Sequence, residues 1–202
     1  MRHSRLAVLA SGRGSNFQVI AESCRAGRLS AEVAVVISDQ SRAQVLERAK
    51  DLDIPAQVIV SNQFPSSEAH DEAMTAAIEQ SGATLVCLAG YMRLLGQTFV
   101  RRFVGRLVNV HPSLLPAFPG LHGVREALAA GVKVAGCTVH FVEEGVDSGP
   151  IITQAAVPVF ESDTEETLHT RIQEQEHRIL PEAINGLCQD RIKILGRQVV
   201  AE

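Results

Sequence analysis

Along the first half of the chain, short apolar runs alternate with longer segments whose apolar residues recur with helical spacing. Leu6–Ala10, Val33–Ser38, Gln57–Val60, Leu85–Ala89 and Leu107–Val110 read as buried strands, and Asn16–Ala26, Arg42–Asp51 and Ser67–Gln80 read as helices between them. Such βαβ alternation predicts an α/β fold with a mostly parallel central sheet and helices on both faces. Ligands of these sheets gather at the carboxyl ends of the strands. The loops after Ala10, Ala89 and Val110 are therefore the places to search for chemistry.

After residue 110 the pattern changes. His111–Gly123 is dense in proline and glycine, a short helix is expected at Val124–Ala130, and two strand-like runs follow at Lys133–Val142 and Ile151–Val159. The connection Glu143–Pro150 is short enough to make this pair antiparallel. A helix is expected from Asp163 onward, because Asp163 and Glu166 have capping-box spacing and Leu168, Ile172 and Ile179 share a face. Pro181 is expected to kink it or end its first part. With no internal repeat or linker, one domain is the economical reading, with halves of about 1–110 and 111–202.

Composition narrows the class of protein. Of 202 residues, 46% are hydrophobic and 21% charged, ordinary values for a globular enzyme-sized domain. No apolar run approaches the roughly 18 residues of a membrane span, so the expectation is a cytoplasmic protein without membrane contact. A net charge of −4 with scattered cations argues against nucleic acid as a partner and favours small molecules. Cys24, Cys87, Cys137 and Cys188 form no CxxC pair, and His111, His122 and His140 lack zinc-ligand spacing, so no metal is expected. His3, His70 and His169 are expected at the surface.

The first candidate site is Ser11-Gly12-Arg13-Gly14-Ser15-Asn16, between the first strand and the first helix. Backbone N–H groups at a helix start favour an anion such as phosphate. It is not a Walker A loop, and Phe17 stands where a dinucleotide fingerprint wants its third Gly or Ala, which weakens a nicotinamide reading that Asp39 would otherwise support. A plain tight turn accounts for the loop equally well.

The second candidate is Asn109-Val110-His111 at the end of the fifth strand. Residues at i and i+2 project on the same side of a strand, so Asn109 and His111 can face one ligand. An amide donor beside an imidazole suits acyl-type transfer, the amide stabilising an oxyanion and the imidazole moving a proton. A buried polar pair closing a strand end is the competing account. Asp147, in a loop bent by Gly145 and Gly149, is by itself an ordinary turn aspartate; near an imidazole, a carboxylate favours the charged ring.

Asn109-Val110-His111-Pro112-Ser113-Leu114-Leu115-Pro116 and the run from Gly136 through Asp147 to Ile152 together resemble the catalytic strand end and the signature of the folate-dependent formyltransferases. Gly12–Asn16, Ala89-Gly90-Tyr91-Met92-Arg93 and Glu174-Gln175-Glu176-His177 match the branch that acts on a phosphoribosyl amine in purine biosynthesis, and the resemblance covers nearly the whole chain. It implies a single-domain Rossmann-like formyltransferase fold, with a phosphoribosyl-binding first half and a folate-binding second half. It also implies 10-formyltetrahydrofolate as co-substrate, with neither metal nor nicotinamide required, in a monomer or homodimer.

Carried over residue by residue, the resemblance makes Asn109, His111 and Asp147 catalytic. Gly14, Ser15 and Asn16 would hold the phosphate of phosphoribosylglycinamide, with Glu176 and Gln173 at its ribose; solvated helix surface is the competing account for both, and for Glu176 the match to a specific position favours the ligand role. Met92, Arg93, Leu94 and Leu95 would line the pterin cleft together with Asn109 and the loop of Val142, Glu143, Glu144 and Asp147; Met92 and Leu95 also fit an ordinary core. Ser67 stands where many members carry an Arg for the folate's glutamate tail. Two relatives in this family compete with the reading. Methionyl-tRNA formyltransferase carries a further carboxy-terminal domain, and formyltetrahydrofolate hydrolases carry an added amino-terminal one; neither is expected here.

Overall fold

The computed structural model describes residues 4–201, of Ala201 the backbone only. His3, expected at the surface, lies outside them. Two compact units divide between Val108 and Asn109.

The first unit holds β1 (Ser4–Leu9), α1 (Ser15–Arg25), β2 (Ala31–Ser38), α2 (Gln44–Asp51), β3 (Ala56–Val58), α3 (Ser67–Gln80), β4 (Leu85–Leu88) and α4 (Gln97–Arg102). Its strands run β3-β2-β1-β4, and β1 pairs in parallel with both β2 and β4. Leu6, Val8, Val36 and Val86 are fully buried, as expected for parallel strands covered on both faces. Phe17 and Ile20 of α1 and Met74 and Ile78 of α3 fill the core. The expected strand at Gln57–Val60 is shorter and earlier, at Ala56–Val58, because Ser61–Gln63 turns immediately into a 3₁₀ helix.

β5 (Leu107–His111) begins in the first unit and ends in the second, which continues with α5 (Gly123–Ala129), β6 (Val134–Phe141), β7 (Ile151–Pro158), α6 (Glu165–Cys188), β8 (Ile192–Leu195) and β9 (Gln198–Ala201). The pair β6–β7 is antiparallel, as its short connection predicts, and its register shifts between Val139 and His140. Such a bulge re-aims a side chain; the residue concerned is His140.

One expectation for α6 is corrected. The cap is not Asp163 with Glu166 but Thr164, whose hydroxyl accepts from the Thr167 N–H while the Thr167 side chain returns the bond to the Thr164 N–H. Asp163 instead takes both arms of Arg171, at 2.7 and 2.8 Å. The helix also runs through Pro181 without ending. A mid-helix proline costs about 3 kcal/mol, but Ile179, Leu180, Ala183 and Ile184 are buried on both sides of it. A fully buried Leu or Ile contributes about 1.5–3 kcal/mol, so packing outweighs the lost hydrogen bond.

The helix α4 and the hairpin β8–β9 lie beyond the expected elements. The hairpin's signal is two apolar runs around Gly196-Arg197, with Gly196 left-handed at φ 64°.

Candidate active site

In the first unit, β1 ends in the loop that starts α1. Gly14 sits at the cap with φ 74°, a left-handed conformation. A Cβ there would stand 2.5 Å from Val45 Cγ2, so both backbone and space require glycine. The loop is fastened to α2, Val45 N donating to the Gly12 carbonyl at 3.1 Å and Arg48 Nε to the Arg13 carbonyl at 2.8 Å. Ser15 and Asn16 open α1, where backbone N–H groups lack intrahelical acceptors. With no acidic residue in the first turn, the helix start favours an anion.

Beyond β4, Met92 and Leu94 are 56% and 79% exposed, while Arg93 and Leu95 are half-buried. Met92 is therefore not a core residue. Ser67, the first residue of α3, is exposed.

The second unit brings Asn109, His111 and Asp147 together, and adds His140. His111 is buried; its Nε2 faces the Phe118 carbonyl oxygen at 2.8 Å, which can only accept, so this nitrogen carries a proton. Its Nδ1 faces Asp147 Oδ2 at 3.4 Å. The same carboxylate oxygen accepts from the Gly120 N–H at 2.7 Å. Asp147 Oδ1 lies 3.5 Å from Asn109 Nδ2 and 3.6 Å from His140 Nε2.

Burial alone would raise the Asp147 carboxyl. Hydrogen bonds from His140 and the Gly120 N–H, with the charges of His111 and His140, outweigh it and hold the group below its ordinary value. His140 Nδ1 lies 2.8 Å from the Phe141 carbonyl and so carries a proton there, while its Nε2 lies 3.3 Å from Asn109 Nδ2 as well as facing Asp147. Asn109 thus presents its NH₂ side to the cluster, at distances long enough for a better acceptor to displace them.

The Pro/Gly-dense loop after His111 supplies the backbone partners. Phe118 and Asp147 are both left-handed, at φ 53° and 47°. Such conformations cost about 1–3 kcal/mol in a non-glycine residue, and here they aim the Phe118 carbonyl and the Asp147 carboxylate at His111. Sequence reasoning misses Phe118 and Gly120, because they act through backbone that any residue carries; the proline and glycine density was the only available signal. His140, which sits within the signature strand and is expected near the site, lies against Asn109 and Asp147. His122 is exposed, and among the described residues no group of three or more His, Cys, Asp or Glu is arranged to hold a metal ion.

Asp147 also lines a cleft of about 670 Å³ with Leu115, Pro119, Val146, Ile151 and Arg197, within the size range of small-molecule sites. Glu143 and Glu144 are exposed and Val142 half-buried. On α6, Gln173 is half-buried, but Glu176 is only 4% exposed, which overturns the solvated-surface reading for it. Burial, and next the charge of Glu176, pushes the Cys137 thiol up to about 12. His70 is likewise corrected: it is 1% exposed, with Nε2 on the Ile59 carbonyl at 2.9 Å. His169 is half-buried.

Comparison with known proteins gives a consistent picture. A formyl transferase family model matches residues 4–184. A phosphoribosylglycinamide formyltransferase of Bacillus subtilis is 43% identical over 91% of this chain and 94% of its own length. A trifunctional purine biosynthetic protein adenosine-3 of Drosophila pseudoobscura pseudoobscura is 49% identical over 94% of this chain, which spans only 14% of that longer protein. The crystal structure of glycinamide ribonucleotide transformylase 1 from Symbiobacterium toebii superposes with a TM-score of 0.98 at 52% identity, covering 100% of this chain and 95% of that one.

Proposed function

The chain belongs to the formyl transferase family, and from that premise we propose that it transfers the formyl group of 10-formyltetrahydrofolate to the glycinamide amine of 5-phosphoribosylglycinamide. The products are formylglycinamide ribonucleotide and tetrahydrofolate, a step of purine biosynthesis. The observation that most supports this is the contact of Asp147 with both Asn109 and His111 in one largely buried cluster, which supplies an oxyanion donor and a proton carrier at one place. Both substrates are charged, water-soluble metabolites, which suits a cytoplasmic enzyme.

The neutral amine attacks the formyl carbon, forming a C–N bond and a tetrahedral oxyanion. Asn109 Nδ2 donates to that oxyanion, and one such donor contributes about 3 kcal/mol; the charge of protonated His111 stabilises it further. The attacking nitrogen is then cationic. Its proton passes through the His111–Asp147 pair, or a water held there, to the folate nitrogen, and the bond from that nitrogen to the formyl carbon breaks. Tetrahydrofolate leaves as a neutral amine. Asp147, kept ionised by its hydrogen bonds, balances the imidazolium throughout.

Gly14, Ser15 and Asn16 bind the acceptor's phosphate, and Gln173 and Glu176 its ribose; the anion preference of the α1 start supports the first assignment. Met92, Arg93, Leu94, Leu95, Asn109, Val142, Glu143, Glu144 and Asp147 contact the folate. The exposed apolar Met92 and Leu94 support that role. The experiment is to mix protein with both substrates and follow formylated product and released tetrahydrofolate. Equal amounts of the two are expected; folate consumed without formylated product would mean hydrolysis instead.

A further inference from the structure

The irregular segment Tyr91–Gly96 connects β4 to α4 and carries Met92 and Leu94 in the open. Three fixings hold it. At its start the Tyr91 side chain is buried, with its hydroxyl donating to Met74 Sδ of α3 at 3.1 Å. Next, the Met92 N–H donates to Ser11 Oγ at 2.9 Å, and the Ser11 N–H donates to the Gly90 carbonyl at 2.9 Å. At its far end, the Gly96 N–H donates to Asp71 Oδ2 at 2.7 Å.

Asp71 is an expensive way to hold a loop. It lies on α3 and is only 7% exposed, and a carboxylate taken out of water needs strong partners to be tolerated. Its other oxygen faces His70 Nδ1 at 3.6 Å, while the far side of that ring is fixed on the Ile59 carbonyl. A Cβ on Gly96 would stand 2.7 Å from Asp71 Oδ2, so residue 96 has no room for a side chain while the bond is made. Exposed apolar side chains on a segment fixed at both ends make a rigid platform.

We propose that Asp71 and Ser11 are positioning residues for folate binding: they hold the backbone on either side of Met92–Leu95 so that this segment presents its apolar side chains to the pterin in one arrangement. The inference rests on the assignment of that segment to folate. Ser11 opens the same glycine loop that takes the phosphate, so one hydroxyl connects the two substrate-binding segments of the first unit. Neither residue touches the reacting atoms. Their loss therefore alters folate affinity before it alters chemistry.

The test measures KM for each substrate and kcat in Asp71→Ala, Asp71→Asn, Ser11→Ala and, as the control for the folate assignment, Leu94→Ser. Asp71→Ala and Ser11→Ala each raise the folate KM about tenfold, the equivalent of one hydrogen bond, and Asp71→Ala leaves kcat and the ribonucleotide KM within about twofold of wild type. Asp71→Asn keeps an acceptor for the Gly96 N–H and stays near wild type. Should Asp71→Ala not fold, Ser11→Ala carries the same test from the other end. An unchanged folate KM in Leu94→Ser removes the folate assignment, and the proposal with it. A raised KM there, with normal values in Asp71→Ala and Ser11→Ala, leaves the assignment standing and overturns the anchoring. So does an equal loss in Asp71→Asn and Asp71→Ala.

Discussion

The glycine loop at Gly12–Asn16 offers a ligand the N–H groups of its own backbone, whereas the cluster around His111 offers side chains that also hold one another. In the loop, the residue that matters is the one that must lack a side chain, because Gly14 is left-handed and packed against Val45. In the cluster, each polar group has at least two partners, and Asp147 alone is approached by His111, His140, Asn109 and the Gly120 N–H. Sites made of backbone fail when a Cβ is added. Sites made of coupled side chains fail even when shape is preserved.

An isosteric change separates the two kinds most sharply. Asp147→Asn keeps the volume but removes the charge facing His111, so kcat is expected to fall by about 10²–10⁴, with ribonucleotide affinity by calorimetry within about twofold of wild type. Gly14→Ala should do the reverse: ribonucleotide KM rises about tenfold with a smaller change in kcat, and denaturant unfolding shows a loss of about 1–2 kcal/mol from the left-handed backbone. If Gly14→Ala lost kcat alone, the division between binding loop and chemical cluster would be wrong.

The acid side of the stability curve gives a third comparison. The Asp147 carboxyl is held below its ordinary 3.8 in the folded chain. The unfolded state therefore binds the proton first, and the stability contributed by Asp147 is complete above 3.8 and is lost as pH falls below it. Acid unfolding of Asp147→Asn should accordingly be less steep than that of wild type in this range. A smaller effect is expected at the α6 cap, where Thr164→Ala should cost about 1 kcal/mol and leave both KM values unchanged. Smallest of all, Ser15→Ala should alter ribonucleotide KM by less than about threefold, since its contribution is an N–H that alanine also carries.

Much of the first unit was legible because buried parallel strands read as apolar runs, and β1, β2 and β4 lie where such runs predict them. The short α4 was not, since six residues starting from Gly96 carry no capping side chain. His70 was misjudged because helical periodicity does not reveal a polar residue turned inward onto a carbonyl. Pro181 shows the opposite balance: it does not end the helix, because a strong local rule yields to the burial of a whole helix face. At the cluster, alternation along β5 placed Asn109 and His111 on one side, but nothing local brought Asp147 to them. That came from the resemblance of the signature run, and the backbone partners Phe118 and Gly120 came only with the fold.

The most direct test is single-turnover transfer of an isotopically labelled formyl group to phosphoribosylglycinamide, with both substrates saturating, in wild type and His111→Ala, alongside the ribonucleotide Kd of each. The account predicts labelled formylglycinamide ribonucleotide from wild type, a rate lower by about 10²–10⁴ in His111→Ala, and the same Kd for both. Wild-type-like transfer in His111→Ala would contradict it.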